Sequence, residues 1–189
     1  IMKIISGYLK NKKIILPSDK STRPLKSLVR ESIFNIIEHS KIFNLKIKDS
    51  DVLDLFSGIG SFGLESISRG AKKVIFCENY KPSLKILKKN IFNLNCSERT
   101  LVFENDICGK NFFHNLSSKK FDIIYLDPPF KEKRINEIIE NINNKKLLKK
   151  NGMLIMHRNR KTIDNFNNLI LVKKEKIYGL SKIIFCSFP

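Results

Sequence analysis

The tetrapeptide Asp127-Pro128-Pro129-Phe130 carries the most specific chemistry in the sequence. Two consecutive prolines fix the backbone and remove two N–H donors. The carbonyls around them can then act only as acceptors. Asp127 adds a carboxylate acceptor and Phe130 a ring face. Acceptors beside an aromatic platform suit an exocyclic amine on a flat nucleobase. The lone pair of such an amine is delocalised into the ring and is a poor nucleophile. Acceptors on its hydrogens favour a pyramidal nitrogen whose lone pair can be aimed at an electrophilic carbon. Asp127 would also offset the positive charge that grows on nitrogen. These four residues are the expected catalytic set.

Three earlier loops could hold the group that supplies such a carbon. Asp54-Leu55-Phe56-Ser57-Gly58-Ile59-Gly60 is a strand-to-helix turn rich in glycine. Glycines allow a tight turn and a close ligand approach. Dinucleotide enzymes use similar turns, but there the helix N-terminus takes a pyrophosphate. A carboxylate at Asp54 would repel pyrophosphate and attract the amino group of a methionine moiety. That favours S-adenosylmethionine over NAD, with Asp54, Phe56, Ser57, Gly58 and Gly60 as cofactor residues. Glu78, followed by Asn79, ends the next strand and could accept both ribose hydroxyls; it supports an adenosine cofactor of either kind. Asp106 could accept from the adenine amino group and Ile107 could pack on its ring, although a loop acid is also commonly just solvated.

An alternation of strand and helix must position these loops. Strands are expected at 52–56, 73–78, 100–104, 121–127 and 152–157. Helices are expected over 61–69, from Pro82 through Leu94, and over 132–148. Two late apolar stretches, 169–172 and 183–188, read as final strands joined around Tyr178-Gly179. The pattern implies an α/β fold with a doubly wound, mostly parallel sheet covered on both faces. Ligands of such sheets bind beyond the carboxyl ends of the strands. Ahead of it, residues 3–16 suggest a small hairpin turning at Lys10-Asn11. Residues 17–24 read as an exposed loop, and 25–40 as a helix with one apolar side. The expected division is 1–24 as an appendage and 25–189 as the main domain.

Composition bounds the partners. The chain has 189 residues, 36 Lys and Arg against 18 Asp and Glu, and a net charge of +18. A basic surface attracts phosphate and releases counterions on binding, although the abundance of Lys, Asn and Ile also fits a low-GC genome. No apolar run reaches the roughly 18 residues that span a bilayer. Cys77, Cys96, Cys108 and Cys186 form no C-x-x-C pair, so no metal site is expected. No leader is expected either. Scattered cysteines suit a reducing cytoplasm.

These residues resemble a known family. D/N-P-P-F/Y/W after a fourth strand, following a D-x-F-x-G-x-G loop, is similar to the amino-group methyltransferases of class I, Rossmann-like, seven-stranded fold. Thr22-Arg23-Pro24, Val29-Arg30-Glu31 and Ile33-Phe34-Asn35 resemble the signature of the RsmD family. Leu55 to Gly58, Gly63 to Ser66, Ser68 to Ala71 and Asn90 fit it too. The resemblance implies methylation of N2 of a guanine in bacterial small-subunit (16S) ribosomal RNA, with S-adenosylmethionine as cofactor. It implies that Arg23 and Arg30 lie near the substrate entrance. The hairpin, with Lys10, Lys12 and Lys13, would contact RNA. The partner would be ribosomal RNA in the small subunit or its assembly intermediate, met by a monomer. Two departures stand out: Leu25-Lys26-Ser27-Leu28 replaces a Thr/Asp-containing stretch, and the fifth strand ends in His157-Arg158 where the family often has glutamate.

Other readings fit less well. Cytosine-C5 methyltransferases attack with a cysteine that follows proline, and no Pro-Cys occurs here. N6-adenine methyltransferases commonly have Asn and Tyr at the ends of the P-P motif and a target-recognition region, for which this chain has little room. A non-catalytic RNA-binding module would not require these loops intact. A dehydrogenase gives the Asp127 loop no role.

Overall fold

The computed structural model describes residues 2–17, 25–109 and 111–189. Arg23, with the rest of the 18–24 loop, lies outside the described residues.

Five apolar segments form the parallel part of one sheet. They are β3 (Asp51–Leu55), β4 (Lys73–Cys77), β5 (Thr100–Phe103), β6 (Phe121–Leu126) and β7 (Leu148–Asn159). The two strands β8 (Leu171–Tyr178) and β9 (Ser181–Ser187) complete it, with β9 antiparallel to both β7 and β8. The spatial order is β5-β4-β3-β6-β7-β9-β8. The sheet is the expected doubly wound, mostly parallel, seven-stranded one. The chain steps outward from β3 to β5, then returns to place β6 on the other side of β3. Asp54 and Asp127 therefore flank the point where the winding reverses, the crevice in which such sheets bind ligands.

Alternate side chains on each strand feed two separate cores. Val52, Val74, Phe76, Ile123, Tyr125, Ile155 and Phe185 pack on one face. They meet α1 (Ser27–His39), α2 (Ser61–Ser68) and α3 (Lys81–Asn93) through Ile33, Phe34, Phe62, Leu64 and Leu87. Leu53, Ile75, Ile124, Leu126 and Met156 pack on the other face against Ile135, Ile138, Ile139 and Ile142 of α4 (Ile135–Asn144) and against Phe112 and Phe113.

Three elements differ most from the ranges expected from sequence. The helix expected over 132–148 starts at Ile135, because the Glu132 carboxylate grips the Arg134 guanidinium through Nε and Nη2, both at 2.9 Å, in a turn of its own. It ends at Asn144, and Lys146 turns left-handed with φ 49°. The strand expected at 152–157 runs from 148 to 159. The strand expected at 169–172 lies at 171–178, on the sheet edge, where most of its residues are exposed and no apolar alternation marks it.

The hairpin is shorter in its pairing than expected. Only β1 (Met2–Lys3) and β2 (Lys13–Ile14) pair. Beyond them Ile4 N–H donates to the Lys12 carbonyl and Asn11 N–H to the Ile4 carbonyl, and helices hold the rest: Ile5 and Ser6 N–H donate to the Glu65 carboxylate, Tyr8 N–H to the Ser68 carbonyl and Ile15 N–H to Asn90 Oδ1. Met2, Ile4, Leu9 and Ile14 are buried in the same core as α1 and α2.

Candidate active site

The loop after β3 turns through three left-handed residues in five: Phe56 at φ 58°, Gly58 at 55° and Gly60 at 84°. A Cβ on Gly60 would lie 2.5 Å from Leu87 Cδ1, so a side chain there is both strained and crowded. Ser57 anchors the turn by donating N–H (3.0 Å) and O–H (3.2 Å) to the Cys77 carbonyl at the end of β4. Asp54 is 1% exposed. Its Oδ2 accepts the Gly63 N–H at 3.0 Å, while buried Oδ1 has no hydrogen-bond partner among the described residues. Burial pushes this carboxyl well above its ordinary range; the Gly63 hydrogen bond opposes the shift, and repulsion from Asp127 and Glu78 adds to it.

Glu78 ends β4 and is already committed in part. Oε2 accepts the Gly58 N–H and Oε1 the Tyr80 N–H, each at 2.7 Å. A carboxylate has about four acceptor positions, so each oxygen keeps one for a ligand hydroxyl. Asn79 beside it is exposed. After β5, Asp106 is exposed and its Oδ1 accepts the Cys108 N–H at 3.1 Å. Ile107 is buried on the α4 face of the sheet.

Asp127 follows β6, and its N–H donates to the Leu55 carbonyl at 3.2 Å. That bond sets the Pro-Pro corner directly beside the Asp54 strand. Pro128 is buried and Pro129 exposed. The Pro129 carbonyl accepts the Glu132 N–H at 2.8 Å, which closes the turn. Beside Phe130 opens a groove of about 470 Å³, between residues 130–136 and 158–165.

Two residues to which the sequence gives no role touch Asp127, and a third backs one of them. Tyr125 O–H donates to Oδ2 at 3.2 Å. His157 Nδ1 lies 2.8 Å from Oδ1, and its Nε2 lies 2.9 Å from Ser181 Oγ. Period-two spacing places Tyr125 on the side of β6 that Asp127 continues. The parallel register pairs Leu126 with Met156, so His157 follows beside Asp127. Both signals are readable from sequence once strand order is known.

Of the residues expected to meet RNA, Lys10, Lys12 and Lys13 are exposed. Lys10 follows Tyr8 and Leu9, which bond to Ser68 at the C-terminal end of α2, the end opposite the cofactor loop. Arg30 is a correction. It is 0% exposed and spans inward from α1, donating to the Lys3 carbonyl and, at 3.4 Å, to the Ser61 carbonyl. Its Nε lies 3.7 Å from buried Glu65, which also binds Arg69 at 2.9 Å. Arg30 therefore clamps the hairpin to α2 and offers nothing to a phosphate.

A profile of the family described as "Conserved hypothetical protein 95" matches residues 2–187. Ribosomal RNA small subunit methyltransferase D of Buchnera aphidicola (subspecies Baizongia pistaciae) is 34% identical over 178 residues, 93% of this chain and 86% of the relative. The chain belongs to this RsmD family. The putative rRNA methyltransferase YlbH of Bacillus subtilis is 30% identical over 96% of each chain. The structure of the putative methyltransferase yhhF from Escherichia coli superposes with a TM-score of 0.81 at 23% identity, covering 99% of this chain and 97% of that one. The putative methylase HI0767 of Haemophilus influenzae gives 0.71 at 28% identity, with 97% and 96% covered. The RsmD-family fold seen here is that of S-adenosylmethionine-dependent methyltransferases, and the chain is a methyltransferase.

Proposed function

We propose that this protein transfers a methyl group from S-adenosylmethionine to the exocyclic N2 amine of a guanine in small-subunit ribosomal RNA. The observation that carries the reading is the placement of Asp127. An acceptor carboxylate on a di-proline corner is bonded through its own N–H to Leu55, one residue beyond Asp54, at the point where the sheet reverses its winding.

The residues present fit the cofactor. The orphaned Oδ1 of Asp54 is a buried acceptor awaiting a donor, and the cofactor's ammonium is one. The left-handed Gly58 and Gly60 give the turn its tight path, and the lack of a Cβ on Gly60 lets that turn pack closely on Leu87. Glu78 retains acceptor capacity for ribose hydroxyls, with Asn79 exposed beside it, while Asp106 and Ile107 would flank the adenine. When bound, the cofactor supplies an electrophilic methyl on a sulfonium sulfur. Asp127 and the carbonyls of the Pro128-Pro129 corner would hold the two amine hydrogens and aim the nitrogen lone pair. Phe130 would stack on the base, a contribution on the order of 1–3 kcal/mol. The target must leave its stack to reach this pocket, which costs least in a loop. The groove beside Phe130 leaves space for neighbouring nucleotides. The small-subunit partner follows the names of the relatives.

The test is nucleoside analysis of small-subunit RNA after reaction of purified protein with unmodified small subunits, naked RNA and labelled cofactor. N2-methylguanosine at one position is expected, absent with Asp127→Ala while cofactor affinity stays within a few-fold. N6-methyladenosine would instead support the adenine reading. No labelled nucleoside would leave RNA binding alone.

A further inference from the structure

We propose that His157 is a positioning residue for the methyl-transfer step: it donates Nδ1–H to Asp127 Oδ1, and Ser181 selects the tautomer that can do so. The proposal rests on the role given to Asp127 above and extends it to a second and third layer of residues.

Every contact of the imidazole points to this role. The side chain is 4% exposed, so protein groups and not bulk water meet its ring nitrogens. Nδ1 is 2.8 Å from Asp127 Oδ1. A carboxylate oxygen can only accept, so Nδ1 carries the proton. Nε2 of a neutral ring is then an acceptor, and the Ser181 hydroxyl at 2.9 Å donates to it. An imidazole in water prefers the opposite tautomer, so the two partners together make the choice. The third contact is with Phe130, whose ring meets the imidazole edge to face at 5.9 Å and 81°. His157 therefore touches both ends of the Asp127–Phe130 corner.

The consequence is a carboxylate with one fixed rotamer. His157 holds Oδ1 from the β7 side, and Tyr125 donates to Oδ2 at 3.2 Å from below. Each oxygen keeps acceptor capacity beyond its protein donor, and the Asp127 side chain is 22% exposed. An amine offered there finds its acceptors already placed. Without His157, Asp127 could rotate, and a displacement of about 1 Å at a reacting group can cost on the order of 100-fold in rate. Strand geometry explains how the triplet is built. Asp127, His157 and Ser181 follow or lie on β6, β7 and β9, neighbouring strands, and Tyr125, Ile155 and Ile183, two residues from each along its own strand, all face the same core.

Three variants and two spectra test this. His157→Phe keeps a ring against Phe130 but removes the donor. Its kcat for methyl transfer to small subunits is expected to fall roughly 10- to 100-fold, with S-adenosylhomocysteine affinity and KM for the subunits within a few-fold. His157→Asn places an amide N–H near the Nδ1 position and is expected to restore most of kcat. Ser181→Ala is expected to give an intermediate loss. Long-range ¹⁵N–¹H spectra of the wild-type protein should show the Nδ1–H tautomer, and the Ser181→Ala spectrum a mixture. Wild-type kcat in His157→Phe, or no recovery in His157→Asn, would overturn the positioning role. An Nε2–H tautomer in the wild type would overturn it too, whatever the activities. If the wild type methylates no RNA at all, the functional reading itself fails, while the tautomer spectrum still decides the Asp127–His157 bond.

Discussion

The Gly58 N–H donates to Glu78 Oε2 at 2.7 Å, so the glycine turn after β3 is tied to the acid at the tip of β4. One carboxylate thus shapes the cofactor loop and has oxygen capacity left for a ligand. Glu78→Ala would remove both functions. S-adenosylhomocysteine binding should weaken by roughly 1–3 kcal/mol, the scale of hydrogen bonds to a charged group. Calorimetric titration of wild type and variant checks this, and equal affinities would remove Glu78 from the cofactor site.

Much of this arrangement is legible in the sequence because parallel strands buried on both faces read as apolar runs, and their ends mark the loops that bind. VLDLF, KVIFC and FDIIYL announce β3, β4 and β6, and Asp54, Glu78 and Asp127 follow from where those runs stop. Edge strand β8 is less legible, because LVKKEKIY is exposed along most of its length and lacks an apolar period. Arg30 misleads for a different reason. An arginine in a basic chain reads as a surface cation, yet this one is balanced by Glu65, which is distant in sequence and revealed only by the packing of α1 on α2. His157 stays hidden as a site residue until β7 is known to lie beside β6.

The Arg30–Glu65 contact has a testable energetic meaning. Glu65 is fully buried and accepts from the Ile5 and Ser6 N–H groups and from Arg69. Glu65→Ala would strand the buried Arg30 cation and free two backbone donors. Removing one partner of a buried pair typically costs about 3–5 kcal/mol. Chemical denaturation should show a loss of that order. Arg30→Ala should also lower stability while leaving the salt dependence of RNA binding unchanged; a shallower salt slope would return Arg30 to the RNA surface.

Asp54 makes a prediction about pH. Its carboxyl titrates well above the ordinary range in the folded protein, chiefly through burial, whereas in the unfolded chain it titrates near 3.9. Between those values the unfolded chain binds fewer protons than the folded one, so stability falls as pH rises through the window. Asp54→Asn has no such term. In thermal melts of the ligand-free proteins, the midpoint of the variant relative to wild type should increase from pH 5 to pH 7.5. A cofactor ammonium beside Asp54 favours the charged carboxylate, so wild-type affinity for S-adenosylhomocysteine should tighten over the same range. The variant should bind more weakly and show little pH dependence. Parallel pH profiles for the two proteins would contradict this role.

The position of the hairpin lysines separates binding from chemistry. Tyr8 and Leu9, just before Lys10, bond to Ser68 at the C-terminal end of α2, whereas the cofactor turn leads into the N-terminal end of that helix, and Lys12 leads into β2, where Lys13 lies. If all three meet phosphates, the triple alanine variant removes three counterion-releasing contacts. The slope of log affinity against log salt should then become shallower by about 2, at roughly 0.7 per phosphate contact on single-stranded RNA. KM for the small subunit should rise, while kcat and cofactor affinity stay near wild type, because none of the three reaches Asp127 or Asp54. Filter binding at several salt concentrations, with steady-state kinetics alongside, measures both. An unchanged slope would make the lysine excess at this hairpin a matter of composition, and a fall in kcat alone would mean that the hairpin acts on the active-site geometry instead of on RNA capture.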